Sequence, residues 1–216
     1  MKKFFFFMFT SLALLSVRSS AQDYAVSVKA GTLGFQLEAW RSFGPSFNVH
    51  LGGSFFSYKY DQPKDTKEDY TLSADLKLSS FTLLADYLPF ESSSFRLSTG
   101  IIYNNNKPNV VAVPTINKVI GGDVYNASNL GNMGVDLSFT KIAPYLGIGF
   151  GRAASGSGLG FLFDIGAFYQ GPPKVKLSAD GLLSPSASPE QAKIVENNLD
   201  WFKFYPVVSF GLSYKF

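Results

Sequence analysis

From Phe204 to the C-terminus the chain alternates without a break. The even positions are Phe204, Pro206, Val208, Phe210, Leu212, Tyr214 and Phe216; the odd positions are Lys203, Tyr205, Val207, Ser209, Gly211, Ser213 and Lys215. The first set is an apolar face and the second is small or polar, which is the period-two signature of a strand with two unlike sides.

The same alternation recurs along the chain. Val26, Val28 and Ala30 share one face. Leu33, Phe35, Leu37 and Ala39 share the next, opposite Gln36, Glu38 and Trp40. Phe47, Val49 and Leu51 lie opposite Asn48 and His50. Phe81, Leu83, Ala85 and Tyr87 lie opposite Thr82, Leu84 and Asp86. Phe95, Leu97 and Ile101 oppose Arg96, Ser98 and Gly100. Ile142, Leu146, Ile148 and Phe150 oppose Tyr145, Gly147 and Gly149. Leu159, Phe161, Phe163 and Ile165 oppose Gly160, Asp164 and Gly166. With the C-terminal segment this predicts eight strands.

The connections alternate in length. Gly44-Pro45-Ser46, Phe90 to Ser94 and Arg152 to Ser157 are short, whereas Asp61 to Asp69, Asn105 to Thr140 and Asp180 to Leu199 are long. Short turns on one rim and long loops on the other match outer-membrane barrels. Gly31-Thr32 breaks the pattern as a tight turn on the long-loop side, and there the apolar face switches from even to odd positions. A two-residue hairpin explains the switch. A bulge within one long strand is the alternative, and it would leave an odd strand count.

Tyr70 to Phe90 spans 21 residues, while a crossing strand needs about 9–11. Its parity changes near Ser79-Ser80, which predicts that its upper part is a ribbon above the lipid. Pro144 and Pro206 are expected at the outer rim, where a lost ladder donor is tolerated. Ser188-Pro189-Glu190-Gln191 carries a helix start, with a capping serine and proline at the first helical position. It predicts a helix over Pro189 to Asn198, offering Ala192, Ile194, Val195 and Leu199 to the rim.

The N-terminus adds an address. Lys2 and Lys3 precede a 12-residue apolar stretch from Phe4 to Leu15, and Ser19-Ser20-Ala21 offers small residues for a signal peptidase. This predicts a secretory signal over residues 1–21 and a mature barrel over residues 22–216. Twelve residues are too few for a spanning helix, which needs about 20.

Composition narrows the classes further. Charged residues make up 16% of the chain, against roughly 25% in ordinary soluble domains. Without the signal's Lys2, Lys3 and Arg18, 16 basic residues face 16 acidic ones. The basic pI is therefore no argument for nucleic acid, and the basic positions are scattered among acids. The absence of cysteine excludes disulfides, thiolate metal sites and thiol catalysis, and a single histidine excludes a multi-histidine metal centre. No cofactor or metal is expected. Asp61, Asp65, Glu68 and Asp69 crowd one loop with Lys64 and Lys67, in no defined calcium-loop spacing. Asn126-Ala127-Ser128 matches a glycosylation acceptor, read as chance in a bacterial envelope protein.

The closing segment YPVVSFGLSYKF, with Phe210, Leu212, Tyr214 and Phe216 at alternating positions, resembles the assembly signal of Gram-negative outer-membrane proteins. Residues 22–216 as a whole resemble the small eight-stranded OmpA-like or opacity-type barrels, in segments such as KIAPYLGIGFG, FDIGAFYQG and LLADYLPF. The resemblance implies an eight-stranded antiparallel transmembrane up-and-down β-barrel with short periplasmic turns and long extracellular loops. It implies outer-membrane lipids and the barrel-assembly machinery as partners. It leaves activity open, because relatives of this shape serve as anchors, adhesins, small channels and lipid-modifying enzymes.

Candidate chemistry lies on the polar parity. A three-residue turn in the hairpin Phe35 to Leu51 sets Trp40 opposite His50, both pointing inward. Lipid A deacylases and palmitoyl transferases of this shape pair a histidine with a serine and a carboxylate. The His-x-Ser arrangement of the deacylases is absent here. Ser54 lies four residues from His50, roughly 13 Å along a strand, too far for a base to activate a nucleophile. No catalytic residue is assigned. Gln36, Glu38, His50, Asp86, Arg96, Tyr145 and Asp164 are expected to form a paired lumenal network, since an eight-stranded interior is just wide enough for side chains to fill. The alternative is a narrow polar conduit. The expected function is a non-enzymatic envelope or surface-interaction protein, with passive passage of small solutes, apolar ones included, as the second reading and lipid A modification as the third. A surface ligand is not specified by the sequence.

Overall fold

The computed structural model describes residues 23–62, 69–90, 92–120, 123–153 and 158–216. The predicted export signal, Lys64, Asp65, Lys67 and Glu68 lie outside the described residues. In chain order the strands are β1 (Tyr24–Gly31), β2 (Gly34–Ser42), β3 (Phe47–Asp61), β4 (Tyr70–Tyr87), β5 (Phe95–Asn104), β6 (Lys107–Pro114), β7 (Lys118–Ile120) and β8 (Asp123–Tyr125). The short helix α1 (Ala127–Leu130) leads to β9 (Met133–Ser138), β10 (Ile142–Phe150), β11 (Gly158–Tyr169) and β12 (Lys174–Ala179). Helix α2 (Pro189–Asn198) and β13 (Phe204–Lys215) complete the chain.

Eight of these strands close a ring. β1 to β5, β10, β11 and β13 each pair antiparallel with the next, and β13 returns to β1 from Ala25↔Lys215 to Gly31↔Ser209. Closure leaves no unpaired edge within the wall, which is the condition for strands to sit in lipid. Sidedness follows the alternation and is inverted relative to a soluble protein. Val28, Leu37, Leu51, Phe81, Leu146, Phe161 and Phe210 point outward and are 59–81% exposed, while Lys29, Glu38, His50, Asp86, Arg96 and Asp164 point inward at 0–6%. An apolar solvent around the barrel is the environment that makes this arrangement favourable. Among the described residues no helix is long and apolar enough to cross a membrane.

The turn between β1 and β2 differs by one residue from the sequence expectation. Gly31 pairs with Gly34, so the two-residue loop is Thr32-Leu33. Leu33 does not share the outer face with Phe35. As a loop residue it is freed from the strand's alternation and folds inward, where it is 2% exposed. Gly34 has a φ of +88°, and a Cβ there would lie 2.5 Å from Phe56 Cβ, so only glycine fits this corner.

The long connections are largely built rather than loose. β3 and β4 continue above the ring in unbroken register, from Phe47↔Tyr87 to Asp61↔Ser73. The parity change near Ser79-Ser80 is therefore no bulge. β4 leaves β5 at Ser80 and pairs with β6 from Lys77 upward. The segment Asn105 to Thr140, expected as one loop, contributes β6 and β9, and with β12 they extend the upper sheet. Period-two alternation is lost in β6 but kept in β9 and β12, whose Val135, Leu137, Val175 and Leu177 alternate with Asp136, Ser138, Lys176 and Ser178. The β12 edge is covered by α2, whose Glu196 Oε1 accepts a hydrogen bond from the Val175 N–H at 3.0 Å. α2 spans the expected residues, and the Gln191 N–H donates to Ser188 Oγ at 3.3 Å. Ala192, Val195 and Leu199 are half-buried or better placed than Ile194, which turns to the outside.

Both prolines stand where a ladder ends. The β1–β13 ladder stops at Ser209, below Pro206, and the β10–β11 ladder starts at Tyr145, beside Pro144. On the opposite rim, Arg152 ties the turns together, donating to Ser93 O and Phe90 O at 2.9 Å each.

Candidate functional site

The barrel interior is layered. Toward the outer rim, Leu33, Leu84, Ile102, Ala143, Tyr145, Phe168 and Val207 form an apolar cap, on which Tyr205 stacks against Phe168 at 5.0 Å. At the other end Ala25, Trp40, Ala153 and Leu162 form an apolar floor. Charges fill the space between.

Those charges form a closed cycle of alternating sign. Lys29 Nζ lies 2.8 Å from Glu38 Oε1 and 2.9 Å from Asp164 Oδ2. Asp164 Oδ1 accepts from Arg96 Nη2, and Arg96 Nε lies 3.5 Å from Asp86 Oδ2. His50 completes the cycle, with Nε2 3.6 Å from Asp86 Oδ2 and Nδ1 3.6 Å from Glu38 Oε2. Two permanent cations thus face three carboxylates. A doubly protonated His50 presents a donor to each neighbouring carboxylate and balances the count, whereas a singly protonated ring turns a lone pair toward one of them.

Trp40 is the common surface beneath the cations. Its ring stacks on His50 at 3.7 Å, and Arg96 Cζ and Lys29 Nζ lie 5.2 and 5.5 Å from its centroid. Each cation thus meets both carboxylates and the negative face of an indole, which suits a desolvated charge. A hydroxyl bonds each of the three carboxylates. Ser27 Oγ donates to Glu38 Oε2 at 3.0 Å and accepts from Trp40 Nε1 at 2.8 Å. Ser98 Oγ donates to Asp86, and Ser209 Oγ to Asp164 at 3.4 Å. Inward glycines make room for the charged stems. A Cβ at Gly149 would lie 2.6 Å from Arg96 Nε, one at Gly52 2.6 Å from Glu38 Cγ, and one at Gly211 2.5 Å from Lys29 Cγ.

Of the sequence-selected residues, Glu38, His50, Asp86, Arg96 and Asp164 lie in this cycle. Gln36 is buried beside it, and Tyr145 belongs to the apolar cap, its hydroxyl over Gly147 and Gly166. Lys29 is the member that sequence reasoning missed. Its odd parity, opposite Val28 and Ala30, was the available signal. Ser54 shares a hydrogen bond with Ser80 at 2.6 Å, and the ring nitrogens of His50 face carboxylates. Phe210, Leu212 and Tyr214 point outward on the closing strand, and Phe216, just past its end, is exposed as well. Among the described residues no group of three or more histidines and carboxylates is placed to hold a metal ion.

A cavity of about 20 Å³ lies at this level, bounded by Lys29, Glu38, His50 and Asp164 below and Leu33 and Val207 above. That is room for about one water molecule.

No family model and no curated protein matches the chain by sequence. Its fold is that of solved outer-membrane barrels. CarO2 of Acinetobacter baumannii is similar with a TM-score of 0.64 at 20% identity, over 90% of this chain and 98% of that one. CarO of the same organism is similar with a TM-score of 0.62 at 21% identity, over 89% and 97%. A major outer membrane protein from Thermus thermophilus is similar with a TM-score of 0.50 at 16% identity, over 90% and 98%. Fold and sidedness together define an eight-stranded antiparallel barrel of the outer-membrane type.

Proposed function

We propose that the chain is a non-enzymatic outer-membrane protein whose closed barrel anchors an outward sheet for contact at the cell surface. The observation that carries this reading is the alternating charge cycle from Lys29 through Glu38, His50, Asp86, Arg96 and Asp164. A conduit keeps its polar groups hydrated and spaced, whereas this interior pairs its charges with one another. The upper sheet of β3, β4, β6, β9 and β12, braced by α2, is the part left to meet other molecules. The pairing of Ser54 with Ser80, and of the His50 nitrogens with Glu38 and Asp86, supports a role without acyl-transfer chemistry, which needs a serine bonded to its base.

The reading includes a cleaved signal over residues 1–21, insertion by the barrel-assembly machinery with Phe216 at the recognised end, and outer-membrane lipids around the belt. A deletion strain tests it. Surface attachment is expected to change, while small-solute uptake and the lipid A mass spectrum stay as in the parent. A shifted lipid A mass would contradict the non-enzymatic role, and reduced solute uptake would contradict the closed barrel.

A further inference from the structure

The wall has a notch, and it is two strands wide. The β1–β2 hairpin ends at the Gly31↔Gly34 pair. On one side, the β13 ladder with β1 stops at Ser209, followed by one further bond from the Thr32 N–H to Val208 O. On the other side, the β3 ladder with β2 stops at Phe55. Among the described residues no strand continues beside Phe204–Val207 or beside Phe56–Asp61 in this gap. The inner face of the tall β3–β4 hairpin is thereby open to the outside of the barrel over the top of β1 and β2.

The notch holds a groove of about 400 Å³. Its lower lip is Ala30 and Phe35, which belong to the outward apolar belt. Its back wall is Phe56, Leu76 and Leu78, with Phe56 and Leu78 directly paired across the strands. Tyr205 closes the far side. The polar atoms at this lip are already used: Tyr205 OH donates to Thr32 O at 2.7 Å, and Thr32 Oγ1 donates to Pro206 O at 2.9 Å and accepts from the Val208 N–H at 3.1 Å. The side chains of the groove therefore offer an apolar surface with no unmet hydrogen-bonding demand on an occupant. Below it, Leu33 and the apolar cap bar the way to the lumen.

We propose that this notch is a binding site for one hydrocarbon chain of an outer-leaflet lipid, entering sideways over Ala30 and Phe35. Continuity with the lipid-facing belt selects the occupant: a membrane acyl chain reaches the groove without crossing water, and burying it there covers the apolar back wall. The site is a berth rather than a passage, because the cap and the charge cycle lie beneath it. The inference rests on the membrane placement proposed above and is independent of the surface role.

The test uses the mature chain refolded into phosphatidylcholine vesicles doped with a phospholipid carrying a diazirine in its acyl chain. After photolysis, adducts are mapped by mass spectrometry. Adducts are expected at Phe56, Leu76 or Leu78 as well as on the belt residues Phe210 and Leu212. Ala30→Trp places an indole at the mouth from the outer surface, away from the core. It is expected to lower the groove adducts roughly tenfold, the effect of losing about two buried methylenes, with belt adducts unchanged. Belt adducts without groove adducts, or groove adducts indifferent to A30W, would overturn the proposal. Groove labelling by a water-added diazirine fatty acid but not by the phospholipid would overturn it in favour of a free solute. Loss of belt adducts as well would overturn the membrane placement itself.

Discussion

Trp40 and His50 stack face to face, with ring centroids 3.7 Å apart and planes 7° from parallel. They are direct cross-strand partners in the β2–β3 ladder, and both are 2% exposed. The stack places the imidazole between Glu38 and Asp86, so the barrel's one histidine is the link that closes the charge cycle.

Replacing that link has a specific consequence. His50→Leu leaves the ring's volume largely filled but strands two carboxylates beside each other's field. The expected loss is roughly 3–5 kcal/mol, the range for breaking one partner out of a buried ion pair. Urea titration of the heat-modifiable band on gels reads it, and an unchanged midpoint would show that the cycle is not closed through His50.

Lys29 bridges Glu38 and Asp164 at 2.8 and 2.9 Å. Lys29→Met and Glu38→Gln should each destabilise the barrel by several kcal/mol. The double variant should cost less than the sum by about 0.5–3 kcal/mol, because neither substitution then leaves the other's partner charged and alone. Strict additivity in the same titration would separate the two residues.

Gly34 and Gly44 both have positive φ, +88° and +83°, but only Gly34 meets a neighbour, Phe56 Cβ at 2.5 Å. Gly34→Ala is expected to cost more than Gly44→Ala, whose penalty is backbone strain alone, on the order of 1 kcal/mol. Equal midpoint shifts would mean that the hairpin corner is not packed against β3.

Phe210 is 65% exposed on the closing strand, and its neighbour Ser209 is buried. Phe210→Arg should cost about 2–4 kcal/mol if the residue sits near the bilayer midplane. The cost should vanish in a soluble-peptide mimic of the strand. No loss in lipid would place this face away from hydrocarbon.

What was legible in the chain was whatever period two controls. Phe210 against Ser209, and Leu37 against Glu38, state their sides in the sequence, and the count of such segments gives the ring. Leu33 was misplaced because a loop residue escapes the alternation. Lys29 was overlooked because β1 announces itself through Val26, Val28 and Ala30. Of the upper sheet, β6 was hidden because Lys107–Pro114 runs apolar without alternation, whereas β9, with Met133, Val135 and Leu137 opposite Gly134, Asp136 and Ser138, carried the signal in a stretch too short to stand out from a loop. The partners inside the lumen were the least accessible. That Arg96 meets Asp164, 68 residues away, depends on how β5, β10 and β11 register around a closed ring, which no local pattern encodes.

A planar-bilayer recording of the refolded mature protein tests the filled lumen most directly. The charge cycle and the apolar cap predict a bilayer that stays at baseline, without steady single-channel steps, over a range of voltages and salt concentrations. Reproducible, long-lived conductance steps from the folded, heat-modifiable species would contradict a barrel closed by its own ion pairs.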